Sequence, residues 1–301
     1  MQDDRVEERV ALIGPGVLGS ALALELHRVG YRISALGSTR PERHGDLASR
    51  LGCRVYDDPA RAVLEADIVF LAVPDAVVGE VAQAVALHGG FGARQVVFHL
   101  SGALEAEVLS AARGQGAEVA ALHPLQTFAD VDSARRGLRT CWFAVEGDDS
   151  AVRKAQEIVG RLGAKAFVID AAAKPLYHAA LCMASNYLVT LEALAFSLLE
   201  RAGIPHKIVR EAPAPLLRTT VENLLRLDPP EALTGPIARG DTPTVRRHLE
   251  ALRRQAPEVE ALYRCLGLAT LDLAEKKGTV DKEKLYSMRD LLWGSEPKQG
   301  G

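Results

Sequence analysis

The chain of 301 residues is long enough for two domains, each with its own core. Its net charge of −3 excludes a broadly basic surface, so neither nucleic acid nor an anionic membrane is expected as a partner. The acidic start, Met1 to Arg9, does not read as a signal peptide. The four cysteines (Cys53, Cys141, Cys182, Cys265) lack metal-site spacing, so buried free thiols, no metal and a cytoplasmic location are expected.

The first element is an apolar strand, Val10–Ile13, running into Gly14-x-Gly16-x-x-Gly19 and then an amphipathic helix carrying Val17, Leu18, Ala21, Leu22 and Leu26. In such a turn the first glycine permits the bend and the second lets backbone amides approach a pyrophosphate. The third lets helix pack on strand, and the anion sits at the helix N-terminus. This predicts dinucleotide binding by Gly14, Gly16, Val17, Leu18 and Gly19. The second strand, Arg32–Leu36, ends at Gly37, where an NAD-binding fold carries an acid for the ribose hydroxyls. Ser38, Thr39, Arg40 and Arg43 follow instead, and hydroxyls with a guanidinium suit a 2′-phosphate. NADP(H) is therefore expected over NAD(H).

Further strands are predicted near Cys53–Tyr56, Ala66–Val73, Val96–Leu100, Glu118–Leu122, Cys141–Val145 and Ala166–Ile169. Helical stretches at Val77–Ala86, Leu104–Arg113 and Ala151–Leu162 separate most of them. Near-continuous apolar strands alternating with helices imply a largely parallel sheet covered on both faces. From Lys174 onward only helical periodicity remains. The expected architecture is an α/β Rossmann-type dinucleotide-binding domain over 1–170 and an all-α C-terminal domain over 174–293, with a frayed tail beyond Trp293. Residues 179–199 carry one charge, Glu192, and are long enough to cross a bilayer. Ser185, Asn186, Thr190 and Ser197 interrupt the stretch, which reads better as a helix buried in the helical domain or between subunits.

Ligands of open α/β sheets bind beyond the carboxyl ends of the strands. Val73 and Pro74 end the fourth strand beside the expected nicotinamide ribose, and Asp75 serves either as a helix cap or as a ligand contact. Ser101 follows the fifth strand and either touches substrate or caps the next helix. His123, fixed by Pro124, is placed as a proton donor or bonds a nearby carbonyl. Lys174 and His178 lie about 6 Å apart on one helix face and could address one carbonyl oxygen, whereas the bland reading of Lys174 is a boundary surface lysine. Asn186 reads as a site residue or an interface bond. Arg239, in the Gly/Pro-rich loop 234–241, could clamp a carboxylate or face solvent, and Asp241 or Thr242 can cap the helix that follows.

The stretches GPGVLGSAL, DIVFLAVPD, HLSGAL, LHPLQTF, KPLYHAA with SNYL, and LTGPIARGD together resemble Rossmann-like oxidoreductases whose helical half is a domain of unknown function. That family is similar to the 6-phosphogluconate and β-hydroxyacid dehydrogenase superfamily, with ketopantoate and pyrroline-carboxylate reductases as relatives. The resemblance implies a homodimer built on the helical domain, and an interdomain active site. It also implies a lysine, matched by Lys174, that handles the substrate oxygen. His178 stands where the superfamily has an asparagine, and His123-Pro124 resembles the His-Pro stretch of prephenate and arogenate dehydrogenases. The expected activity is NADP(H)-dependent hydride transfer to or from a small carboxylate-bearing carbonyl or alcohol, a ketopantoate-like 2-oxo acid by analogy. Lys174, His178, His123 and Ser101 are the catalytic candidates, and Asn186 and Arg239 the substrate-binding ones. A prephenate-type dehydrogenase and a non-catalytic NADPH-binding redox reporter are the alternatives.

Overall fold

A computed structural model describes residues 6–294; most of the acidic N-terminal stretch and the tail expected to fray lie outside the described residues. Eight strands form one sheet: β1 (Arg9–Ile13), β2 (Arg32–Gly37), β3 (Arg54–Tyr56), β4 (Ile68–Leu71), β5 (Val96–His99), β6 (Glu118–Pro124), β7 (Trp142–Gly147) and β8 (Lys165–Val168). Their order is β3-β2-β1-β4-β5-β6-β7-β8. Every neighbouring pair is parallel except β6 and β7, which run antiparallel. The order reverses beside β1, so a crevice opens between the carboxyl ends of β1 and β4.

Period-two alternation assigns each strand's side chains to two cores. Val10, Leu12, Phe70 and Phe98 pack on one face with the helices Val17–Arg28 (α1) and Asp149–Leu162. Ala11, Ile13, Val69, Leu71 and Val97 pack on the other with Val78–Leu87. The expected helix Leu104–Arg113 is shorter, a 3-10 turn over Ala106–Leu109 running into one α-helical turn, Ser110–Arg113. The helix Val131–Leu138 had no counterpart in the periodicity reading, because its eight residues contain three charges and few apolar anchors.

The chain divides into two compact units, one ending at Asn186 and one beginning at Tyr187. The helix Lys174–Ala184 therefore belongs with the sheet, tied there by the contacts of Lys174 and Tyr177 described below. No strand occurs after β8 among the described residues. The second unit has a small core of Ile237, Val245, Leu249, Leu271, Met288 and Leu292, and Asp241 caps the helix Thr242–Gln255 by accepting the Thr244 N–H. Of the two fates expected for 179–199, burial in the helical domain is corrected for its second part, and burial between subunits is left to the oligomer. The stretch is interrupted at Ser185, and the helix Asn186–Arg201 has no buried residue in the single chain. Residues 171–201 are long and apolar enough to cross a membrane by length and composition alone. All four cysteines are free, but only Cys141 is buried and Cys265 is exposed, so the expectation of uniformly buried thiols is also corrected.

One charged cluster fastens α1 to the sheet unit. Glu25 is fully buried and accepts hydrogen bonds from Arg28 (2.5 Å), Arg135 (2.8 Å) and Arg139 (2.8 and 2.9 Å). Burial alone would raise its pKa, but the three guanidiniums outweigh burial and hold the carboxyl at about 2. Removing the carboxylate strands these cations, so Glu25→Ala should cost about 3–5 kcal/mol in urea denaturation. A loss below about 1 kcal/mol would show that the cluster is dispensable.

Candidate functional site

The crevice beside β1 holds a cavity of about 390 Å³ lined by Gly14, Gly16, Ser38, Thr39, Arg40, Arg43, His44, Val73 and Pro74, among others. Seven residues named from the sequence for the cofactor thus share one cavity, while Val17, Leu18 and Gly19 do not line it. The three glycines differ in what they do. Gly14 has φ +88°, and a Cβ there would sit 2.7 Å from the Ala72 carbonyl oxygen. A Cβ on Gly19 would strike the Gly14 carbonyl oxygen, so this residue sets the packing of α1 on the loop. A Cβ on Gly16 would meet nothing within 4 Å, which leaves room for a ligand to approach the backbone.

The electrostatics suit an anion. The first turn of α1 contains no acidic residue and Gly16 supplies no side-chain cap, so the positive end of the helix is left for a ligand. The loop is held to β2 by the Gly14 N–H donating to the Gly37 carbonyl at 2.9 Å. Ser38 Oγ accepts the Arg40 backbone N–H at 3.1 Å, ordering the start of the following segment. The exposed guanidiniums of Arg40 and Arg43 have no ion-pair partner among the described residues. A 2′-phosphate is the chemistry that two unpaired guanidiniums beside hydroxyls would hold.

A second group of polar residues gathers past β5 and β6. Ser101 Oγ donates to Asp75 Oδ2 at 2.6 Å and accepts the N–H groups of Ala103 and Leu104 at 3.1 Å each, so it both joins Asp75 and orders its own turn. His99, fully buried at the end of β5, accepts the Ser101 N–H on Nδ1 at 3.2 Å. Its Nε2–H is therefore left to donate to the Glu105 carbonyl, also at 3.2 Å. Burial, with the nearby charge of Lys174, pushes the His99 pKa down to about 4.

Lys174 is 2% exposed, and its Nζ lies 3.7 Å from Glu146 Oε2, the oxygen that also accepts the Ala106 N–H at 2.8 Å. Burial lowers the lysine's pKa while Glu146 opposes the shift. The reading of Lys174 as a boundary surface residue is thus corrected. So is the picture of Lys174 and His178 opening side by side onto one space, because Glu146 draws the amine inward. His178 instead lines a second cavity of about 520 Å³ with His123, Gln126, Thr127, Phe128, Cys182, Ser185 and Asn186. His123 Nδ1 is 2.7 Å from the Tyr177 hydroxyl, and its ring lies 6.4 Å from that of His178. Burial, followed by the charges of His178 and Lys174, pushes the His123 pKa down to about 4.

Arg239 lies in the second unit, exposed beside a capped helix and without an ion-pair partner among the described residues. Tyr177, Glu146 and His99 were not singled out from the sequence. Tyr177 and Glu146 sit in ordinary helix and strand patterns, and only the sheet topology brings them to His123 and Lys174. A histidine amid the apolar run of β5 was the one visible signal for His99.

Residues 9–91 match the family model described as NADP oxidoreductase, coenzyme F420-dependent, and residues 141–270 match the domain of unknown function DUF2520. The chain therefore combines a Rossmann-like domain of the NADP oxidoreductase type with a DUF2520 domain. A Thermotoga maritima protein of known structure is similar at 25% identity and TM-score 0.70, covering 89% of this chain and 99% of its own. A candidate NADP oxidoreductase from Bacteroides fragilis is similar at 24% identity and TM-score 0.70, covering 87% and 97%. Plasmodium falciparum pyrroline carboxylate reductase, solved with NADP bound, is similar at 13% identity and TM-score 0.58, covering 95% and 99%. These likenesses show a shared fold. No curated protein sequence matches the chain.

Two outcomes follow from the geometry. Gly16→Ala should leave thermal stability within about 0.5 kcal/mol of wild type yet abolish NADPH binding, whereas Gly19→Ala should destabilise by about 1–3 kcal/mol. Calorimetry and denaturation on both variants separate a ligand-facing glycine from a packing glycine, and unchanged NADPH affinity in Gly16→Ala would remove the loop from the site. The two histidines also fix a pH dependence. Their native pKa values near 4 lie below the ordinary value, so between about pH 6.5 and 4 the unfolded chain binds protons that the native chain does not. Stability should therefore be lost as the pH is lowered through that window, by ~1.4 kcal/mol per pH unit for each histidine. His99→Asn should halve the slope measured by urea denaturation at several pH values, and a flat profile would contradict the burial of both neutral imidazoles.

Proposed function

We propose that this protein is an NADP(H)-dependent oxidoreductase that transfers a hydride between the nicotinamide and a small carbonyl compound or its alcohol. The observation that carries the reading is the pairing of an open Gly16 cradle with two unpartnered guanidiniums, Arg40 and Arg43, around one cavity. When bound, the cofactor would supply the hydride. Gly14 and Gly16 would present backbone amides to the pyrophosphate, and Ser38, Thr39, Arg40 and Arg43 would hold the 2′-phosphate. Val73 and Pro74 would pass the nicotinamide ribose towards Ser101 and His123. His123 and His178 would address the substrate oxygen, and Lys174, buried behind them with Glu146, would tune their electrostatics.

The finer reading is a small 2-oxo acid of the ketopantoate type, whose oxygens suit the amides and hydroxyls of Gln126, Thr127, Ser185 and Asn186. One observation favours a second reading, an uncharged aldehyde or ketone: among the described residues no lysine or arginine lines that cavity. Loss of NADPH absorbance with a panel of 2-oxo acids, prephenate and simple ketones distinguishes these. Turnover of none of them, with NADPH tightly bound, would favour the redox reporter instead. NADPH should bind at least tenfold more tightly than NADH, about 1.4 kcal/mol, and Arg40→Ala should erase most of that preference in calorimetry. Equal wild-type affinities would overturn the NADP assignment.

A homodimer is proposed on the exposed apolar side chains of the second unit, including Tyr187 and Val189 on one helix and Leu216 and Leu225 on another. Large apolar side chains left open on a surface mark candidate association sites. Light scattering at micromolar concentration should report twice the chain mass, and a monomer would refute the interface.

A further inference from the structure

We propose that Tyr177 is a positioning residue for His123: its hydroxyl donates to Nδ1 and so holds the imidazole as the Nε2–H tautomer, which presents a neutral hydrogen-bond donor to the cavity beside it. The tautomer assignment stands on geometry alone, while the role of the donor towards a substrate oxygen rests on the oxidoreductase reading above.

The Nδ1 to hydroxyl distance is 2.7 Å, the two rings meet edge to face at 5.8 Å, and both residues belong to the first unit. In a neutral imidazole one nitrogen donates and the other accepts, so the partner of Nδ1 decides the proton's place. Among the described residues the Tyr177 hydroxyl has no other hydrogen-bond partner, and His123 Nε2 has none. With Tyr177 as donor, both protons are used: the phenol proton goes to Nδ1 and the Nε2 proton is free for a ligand. With the opposite tautomer, the phenol proton would have no acceptor among the described residues. Nε2 would then offer the cavity a lone pair, which cannot hold a carbonyl oxygen.

The ring is also wedged. A Cβ on Gly102 would lie 2.7 Å from His123 Cε1 and 2.8 Å from Nε2, so glycine at 102 is what gives the imidazole its place. The ionisable groups near His123 are Asp75 after β4, His99 on β5, and Lys174, Tyr177 and His178 on the helix Lys174–Ala184. Burial, reinforced by the neighbouring His178 and Lys174, keeps the imidazole neutral, and burial pushes the Tyr177 phenol up to about 12, so the phenol retains the proton it donates. A neutral imidazole with its tautomer fixed polarises a carbonyl oxygen without first having to be protonated.

The test is nitrogen NMR on the 15N-labelled full-length protein, with the His123 signals identified by their loss in His123→Asn. The expected result is one neutral tautomer with Nδ1 unprotonated from about pH 8 to below about pH 5. Tyr177→Phe should shift Nδ1 towards a mixture of tautomers, and Gly102→Ala should displace the ring signals while Tyr177 is intact. A protonated Nδ1, or titration of His123 near its ordinary value of about 6.5, overturns the proposal without any variant being needed. With whichever carbonyl compound the NADPH assay identifies, Tyr177→Phe should lower kcat at least about tenfold and leave NADPH affinity within about twofold. NADPH consumption with the wrong tautomer removes this inference and spares the oxidoreductase reading. The expected tautomer without NADPH binding supports the positioning by Tyr177 and removes that reading.

Discussion

The close seating of α1 on the sheet is the constraint from which the rest of the first unit follows. At Gly14 a side chain would run into the Ala72 carbonyl at the end of β4, and at Gly19 it would run into the Gly14 carbonyl itself. Because both positions lack a side chain, the amino end of α1 comes down onto the point where the strand order reverses. The Gly14 N–H is bonded to Gly37 at the end of β2, so the same loop also fixes where the chain leaves that strand. At its other end, α1 is anchored by Glu25 to Arg135 in the helix that follows the His123 strand and to Arg139 just past that helix's end. A single helix thereby links the cationic end of the crevice to the segment carrying the histidines.

The two ends of the unit are electrostatically opposite in kind. Around Ser38 to Arg43 the cations are exposed and, among the described residues, unpaired, which costs little in water and is offset when a phosphate arrives. Past β4, β5 and β6, His99 and Lys174 are buried and His123 half-buried, and burial drives these three towards neutrality or into pairs, while the exposed Asp75 is held by a hydroxyl. His99 and His123 lose their protons, Lys174 leans on Glu146, and Asp75 takes the Ser101 hydroxyl. An anion-binding end beside a neutral, hydrogen-bonding end is the polarity that a phosphorylated cofactor and a carbonyl substrate require.

Local patterns carried much of this. The glycine loop, the missing acid at Gly37 and the eight strands were readable because each depends on short-range periodicity or on a backbone conformation that one residue type supplies. The partnerships were not readable. Lys174 and His178 are four residues apart on one helix, yet the amine turns to Glu146 on β7 while the imidazole lines the cavity. The antiparallel pairing of β6 and β7 decides that, and no helical spacing contains it. Tyr177 was passed over for the same reason, since its role depends on a strand 54 residues earlier. The apolar stretch after residue 179 misled in the other direction. Its hydrophobicity was read as burial in the helical domain or between subunits; the single chain leaves the helix Asn186–Arg201 open, and composition does not distinguish the two fates.

On the proposed function, one crevice would hold NADP with its 2′-phosphate at the end of β2 and its nicotinamide directed to the histidines. A crystal structure of the full-length protein grown with NADP⁺ tests it most directly. It should show the 2′-phosphate within hydrogen-bond distance of Arg40 and Arg43, the pyrophosphate over Gly16, and the nicotinamide next to Ser101 and His123. A nucleotide whose adenosine ribose lies away from Arg40, or whose nicotinamide points away from His123, would contradict the account.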